Sequence, residues 1–169
     1  MSRHLHVPLQ SGDDGVLRAM GRRYTVATYL RRLAPLQDEL NLTSDVIVGF
    51  PTEDERAFVN TLETVRAAGL TKVHVFPYSP RPGTVTALDD PVPPQVKKER
   101  AARLRAVSHD ACLARWRTKV GVDDVVLVDR AGRGYGDDYT PWLLRADAPV
   151  GELVEVRGRA VSDEGVLAA

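Results

Sequence analysis

Two hydrophobic rhythms alternate along the first half of the chain. Residues 5–10, inside the opening stretch "HLHVPLQSGDD", alternate apolar and polar positions and predict a strand ending in the polar tip Gln10-Ser11-Gly12. Asp13 or Ser11 is placed to cap a short helix over "DGVLRAM", with Val16, Leu17 and Met20 on one side. Thr25 caps a second predicted helix running to about Leu40, its spacing set by Tyr29, Leu30, Leu33, Leu36 and Leu40. Pro35 should kink or split that helix, because its ring clashes with the carbonyl four residues back. "DVIVGF" (45–50) is nearly continuous in apolar residues, the mark of a strand buried on both faces. Thr52 with Glu55 three positions on makes a capping-box pattern, predicting a helix to about Ala68 that Gly69 stops. "KVHVFPY" (72–78) reads as a third buried strand. Strands alternating with helices at this spacing predict βαβ units and a parallel sheet.

The rhythm then changes. "SPRPGTVTALDDPVPPQ" (79–95) reads as a long ordered loop, followed by a helix from about Pro94 to Thr118 with an apolar stripe of Leu104, Val107, Ala111 and Ala114. From Val122 the pattern breaks into short β-like pieces: "DVVLVD", "YTPWLLR", "LVEVRGRAV" and "EGVLA". Short strands spaced by roughly 8–12 residues predict a small barrel or sandwich. The fold class is therefore α/β followed by a small C-terminal β-barrel or sandwich, with a boundary near residue 120.

Charge supports that division. Net charge is zero over the 169 residues. Yet residues 95–119 carry eight Lys or Arg against Glu99 and Asp110, while 120–169 carry five Arg against ten acids. The single cysteine, Cys112, excludes an internal disulfide and any thiolate-only metal site, and its helical setting makes it a buried or half-buried filler. No apolar run approaches the ~20 residues that span a bilayer. "MSRHLHV" is too short and polar for a signal peptide, so no membrane contact and a cytoplasmic location are expected.

In parallel α/β sheets, ligands lie beyond the carboxyl ends of the strands. Three tips qualify: Gln10-Ser11-Gly12, Gly49-Phe50-Pro51-Thr52-Glu53, and the segment Tyr78 to Thr84 that includes Arg81. Arg22 and Arg23 suit capture of a carboxylate or phosphate, or stand as solvated helix-end cations. His4 and His6 lie two apart on a strand and face one side, but without a third ligand packing or substrate lining is the stronger reading. His74 reads as a core or barrel-lining residue and His109 as a surface one.

The stretches "HLHVPLQSGDDGVLRAMGRRYT", "DVIVGFPTEDE" and "VHVFPYSPRPGT" together resemble consecutive segments of the radical S-adenosylmethionine methylthiotransferases. The nearest subgroup adds a methylthio group to threonylcarbamoyl-adenosine in tRNA. "GRGYGDDYTPWLL" and "GELVEVRGRAV" resemble the TRAM domain that closes these enzymes. The resemblance implies that 1–93 is the C-terminal part of an open (β/α) radical barrel, about three of its strands, with 94–119 a connecting helix and 120–169 a TRAM-like, OB-like barrel. By it, Gln10 and Ser11 face S-adenosylmethionine, Arg22 holds its methionine carboxylate, and Ile47, Gly49, Phe76 and Tyr78 border its adenine. Glu53 matches the acid after the second strand, with Thr52 where the family has glycine. Arg81 falls near the sulfur-transfer site.

The family uses S-adenosylmethionine and two four-iron, four-sulfur clusters, one of them held by a C-x3-C-x2-C loop. No such cysteines occur in these residues. The resemblance thus implies the C-terminal portion of a larger enzyme, not catalytic alone. An RNA-binding module, or one subunit of a split enzyme completed by a cluster-bearing chain, are the alternatives. tRNA, through its anticodon stem-loop, is the expected partner. Arg100 and Arg103 on the basic helix and Arg133 are candidate phosphate contacts, or a solvated face. Tyr135, Tyr139 and Trp142 are candidates for stacking on unpaired bases, with core filling favoured for Trp142.

Overall fold

A computed structural model describes residues 2–80, 83 and 90–169. Arg81 lies outside the described residues. The chain divides into two compact units, one of residues 6–38 and 42–111, the other of residues 2–5, 39–41 and 112–169.

The first unit holds most of a three-stranded sheet of order β1 (His4–His6), β2 (Asn41–Val48) and β3 (Leu70–Pro77), of which His4, Leu5 and Asn41 are counted with the second unit. β2 and β3 run parallel, with Asp45 opposite His74 and Ile47 opposite Phe76. β1 is shorter than the alternation predicts. Pro8 has no N–H to give, so the strand stops at His6 and the chain rejoins the ladder only at Gln10, bridged to Val46. β2 begins four residues before the apolar run, because Asn41, Thr43 and Ser44 are buried as hydrogen-bonding groups. Ser44 Oγ, for example, accepts from Leu9 N at 2.9 Å. β3 is buried only at Leu70, Thr71 and Val73. His74, Phe76 and Pro77 are exposed, which corrects the expectation of a strand covered on both faces.

Asp13 caps α1 (Asp14–Ala19) by accepting from Gly15 and Val16. Thr25 caps α2 (Val26–Leu33), which ends well short of Leu40: Pro35 turns the chain into a single 3₁₀ turn over Ala34–Leu36. α3 (Glu55–Ala67) is capped by Asp54, not Thr52, since the Asp54 side chain accepts from Ala57 N. The helix cannot start earlier because Glu53 is folded inward. α4 (Pro94–Arg117) follows the expected limits closely. Its buried face carries Ala101, Leu104 and Val107, whereas Ala114 of the expected stripe is exposed.

The second unit is a closed five-stranded barrel in the order β4 (Asp123–Arg130), β5 (Arg133–Gly136), β6 (Pro141–Leu143), β8 (Gly165–Ala168) and β7 (Leu153–Ser162). Closure leaves no unpaired edge to recruit another strand. Trp116, Val126, Trp142 and Val166 form its core, with Cys112, Leu113, Val154 and Val156 packed against them. The last turns of α4, from Cys112, belong to this unit.

Candidate functional site

The tips at the carboxyl ends of β2 and β3 are held by buried cations from α4. Glu53 is 3% exposed and turns back on its own loop. Its Oε1 accepts from Gly49 N at 2.7 Å and from Arg100 Nη1 at 2.9 Å, and Arg100 Nη1 also donates to the Glu53 carbonyl at 3.0 Å. Among the described residues Glu53 Oε2 and Arg100 Nε have no hydrogen-bond partner. Burial pushes the Glu53 carboxyl above its usual range, against the pull of the Gly49 N–H and the Arg100 guanidinium. One turn earlier, buried Lys97 donates to the Tyr78 carbonyl at 2.9 Å, pairs with Asp90, and lies 5.4 Å from the Tyr78 ring centroid. Gly49 has φ +73°, and a Cβ there would come within 2.4 Å of Lys97 Cγ, so only glycine fits this crossing.

These contacts correct two expectations, those for Glu53 and Arg100. Glu53 is a loop tie and presents no carboxylate to a ligand. Arg100 is buried against it and is closed to phosphate. Arg103 is half-exposed but engaged, at 2.7 Å from Glu55 Oε1 and with its guanidinium 4.8 Å from the Phe58 ring centroid. Sequence reasoning missed Lys97 as a site-shaping residue and read Arg100 as basic surface. The buried acid at Glu53 was the one available signal, since such an acid needs a cation nearby.

At the first tip Gln10 adopts φ +65°, a left-handed conformation that costs a non-glycine residue about 1–3 kcal/mol. Backbone bonds on both sides fix it: Gln10 N donates to Asp45 O at 2.8 Å and Gln10 O accepts from Ile47 N at 2.9 Å. Ser11 departs from the expected cofactor-facing role. It is fully buried, 3.5 Å from Thr61 Oγ1, and accepts from Asp13 N. Gly12 packs against α3 so closely that a Cβ would lie 2.5 Å from Thr61 Cα. Arg22 follows α1 as an exposed side chain, its backbone N–H donating to Leu17 O at 2.9 Å. Side by side in register on β2 and β3, Ile47 is half-buried and Phe76 is 52% exposed. Tyr78 turns its ring edge-on to Phe50 at 5.2 Å.

The barrel unit presents a row of rings. Tyr135 and Tyr139 lie 6.3 Å apart, and His4 is 4.8 Å from Tyr139. Tyr139 is 61% exposed and adopts φ +61°; with Gln10 it completes the non-glycine residues of positive φ among the described residues. The turn that lifts it is braced on each side. Arg3 pairs with Asp137 at 2.8 Å and Asn41 Nδ2 donates to the Asp138 carbonyl at 2.7 Å. The Asp138 carboxylate is buried between Lys119 at 3.1 Å and Arg115 at 3.4 Å and accepts from Thr140 N. Burial pushes this carboxyl up, but the Thr140 bonds and the Lys119 charge outweigh it and hold it below the usual range. Arg133 is paired with Glu164. Trp142 is 0% exposed in the barrel core and closed to stacking, which removes it from the ring row.

Among the described residues no three of His, Cys, Asp and Glu meet in a ligand cluster. No helix among them is long and apolar enough to cross a membrane.

Comparison with known proteins bears on both units. The sequence profile of the Radical SAM superfamily matches residues 2–65. The chain is 34% identical over 172 residues to threonylcarbamoyladenosine tRNA methylthiotransferase MtaB of Thermotoga maritima, covering 97% of this chain and 40% of that protein. It is 36% and 40% identical to the tRNA-2-methylthio-N(6)-dimethylallyladenosine synthases of Zymomonas mobilis and Erythrobacter litoralis, covering 90% of this chain and 36% of each. The chain thus spans about two fifths or less of the length of these relatives. Among solved structures, the Escherichia coli coproporphyrinogen III oxidase HemN, described as a Radical SAM enzyme, aligns with TM-score 0.54 at 22% identity, over 64% of this chain and 27% of that one. That likeness speaks to fold alone.

Proposed function

The chain belongs to the radical S-adenosylmethionine methylthiotransferase family, and on that footing we propose that it serves the methylthiolation of a modified adenosine beside the tRNA anticodon. In this reading the three-stranded unit is the C-terminal part of a radical barrel and the closed barrel is a TRAM-like domain that grips RNA. The observation that carries it is the likeness to tRNA-modifying enzymes, which extends over 90–97% of the chain and so through both units.

The tips suit part of the cofactor. Ile47 and Phe76 offer adjacent apolar surface to an adenine ring, and exposed Arg22 suits a methionine carboxylate. S-Adenosylmethionine would supply the adenosyl and methyl groups; what these residues contribute is binding and orientation. An iron–sulfur cluster does not fit them, because the one cysteine cannot ligate it. The cluster ligands then come from other residues, of the same polypeptide or of a separate chain. Iron and sulfide reconstitution of the 169-residue chain should give no cluster absorbance and no 5′-deoxyadenosine. Appearance of both would overturn this division of labour.

RNA binding is assigned to the ring row of the barrel, where Tyr135 and Tyr139 stand ready to stack on unpaired bases. In fluorescence anisotropy with a labelled anticodon stem-loop, Tyr139→Ala and Tyr135→Ala should each weaken binding by about 1–3 kcal/mol per stacked base. Their thermal unfolding should match the parent's, since both rings are exposed. Equal affinity in both variants would remove the ring row from the interface.

A further inference from the structure

The face of the sheet turned away from the buried residues Val46, Val48 and Val73 carries an organised polar row, exposed at His6, Lys72 and His74, half-buried at Asp45 and buried at Thr43. His6 Nδ1 lies 2.9 Å from Thr43 Oγ1, and His6 Nε2 lies 3.3 Å from Asp45 Oδ2. The register sets His74 opposite Asp45 and Lys72 opposite Thr43. The two imidazoles are 5.9 Å apart, and Lys72, His74 and His6 are all exposed. One rung toward the tips, Ile47 and Phe76 form the apolar end of the same face.

We propose that this row selects among modified adenosines by the polarity of the substituent they carry, accepting a hydrogen-bonding, acidic group over a hydrocarbon one. The inference rests on the tRNA reading above and deepens it. The relatives' names carry both chemistries: a threonylcarbamoyl group, which brings urea N–H groups, a hydroxyl and a carboxylate, and a dimethylallyl group, which brings none of these. A hydrocarbon laid over Lys72, His74 and Asp45 strips water from them and returns no hydrogen bond. A threonyl group replaces that water. Asp45 already has His6 Nε2 3.3 Å from its carboxylate, while Lys72 and His74, exposed on the same face, offer donors to the threonyl carboxylate. Sites built to hydrogen-bond a group discriminate against analogues that lack it far better than apolar pockets discriminate by size.

The test uses the full chain and three anticodon stem-loops of one sequence, with the adenosine unmodified, threonylcarbamoylated or dimethylallylated. The parent should bind the threonylcarbamoyl RNA about tenfold more tightly than the dimethylallyl RNA, the scale of one charge-assisted hydrogen bond at a part-exposed site. Lys72→Leu combined with His74→Leu should abolish or reverse that preference and leave the unmodified RNA unaffected. Both residues are exposed, so the variant keeps the core. Equal or tighter binding of the dimethylallyl RNA by the parent, or a preference surviving in the variant, overturns the inference alone. Binding of none of the three RNAs overturns the tRNA reading and this inference with it.

Discussion

Arg100→Met is expected to destabilise the sheet unit by about 3–5 kcal/mol at neutral pH, the range for breaking a buried ion pair from one side. The loss comes less from the missing attraction than from what remains. Glu53 would keep its carboxylate out of water with only the Gly49 N–H to answer it. Acid should repair the variant. Burial already holds the Glu53 carboxyl above its usual range, and losing the guanidinium raises it further. A group with a raised folded-state pKa binds its proton more readily folded than unfolded, so stability recovers as pH falls through that raised value toward the ordinary carboxylate range. Urea unfolding followed by far-ultraviolet circular dichroism should therefore show a wide gap between parent and variant at pH 7 that narrows on acidification. Adding Glu53→Gln should narrow it without acid. Tryptophan emission is the wrong probe here, because Trp116 and Trp142 both belong to the barrel unit. An Arg100→Met chain as stable as its parent at pH 7 would mean that the pair does not hold the tips.

The second large effect lies in the barrel. Trp142→Ala should cost about 3–5 kcal/mol, because a fully buried indole is replaced by a cavity among Trp116, Val126 and Val166. Trp142→Phe should cost much less. Trp142 Nε1 is buried without a hydrogen-bond partner among the described residues, so the smaller ring gives up volume but also removes an unanswered donor. The phenylalanine variant separates core from interface: its RNA affinity should equal the parent's, whereas Tyr139→Ala should lose affinity and keep stability. Loss of RNA binding in a well-folded Trp142→Phe chain would restore Trp142 to the interface.

What the residues announced in advance was mainly what local chemistry determines. Asp13 and Thr25 cap helices where their side chains can reach backbone N–H groups nearby, and Pro35 ends a helix for a reason internal to its own ring. Failures came where a distant partner decides. Thr52 sits in a capping-box pattern with Glu55, yet Asp54 caps the helix, because Glu53 folds inward onto Gly49. The start of β2 was hidden because Thr43 and Ser44 look like loop residues until His6 and Leu9 arrive as their partners. β5 was missed because "RGYG" has two glycines and no alternation, and barrel closure makes it a strand. Arg100 looked like surface because its partner is 47 positions away. The ring row was half legible: Tyr135 and Tyr139 were visible as aromatics, but the braced turn that lifts Tyr139 depends on Arg3, Asn41 and Lys119.

The buried and paired cations of residues 95–119 also set how the proposed RNA binding should respond to ions in solution. Eight positive residues between 95 and 119 promise a steep response, since each neutralised phosphate releases condensed counterions. Lys97, Arg100, Arg115 and Lys119 are largely buried in pairs with Asp90, Glu53, Asp138 and Asp124. That leaves exposed Lys98, Arg105 and Arg117, and half-exposed Arg103 at the loss of a weak surface pair with Glu55, to meet phosphate. At roughly 0.7 per neutralised phosphate on a single strand, this segment contributes a slope of no more than about −3 to log K against log salt. Whatever affinity persists at high ionic strength would then measure the stacking of bases on the tyrosines.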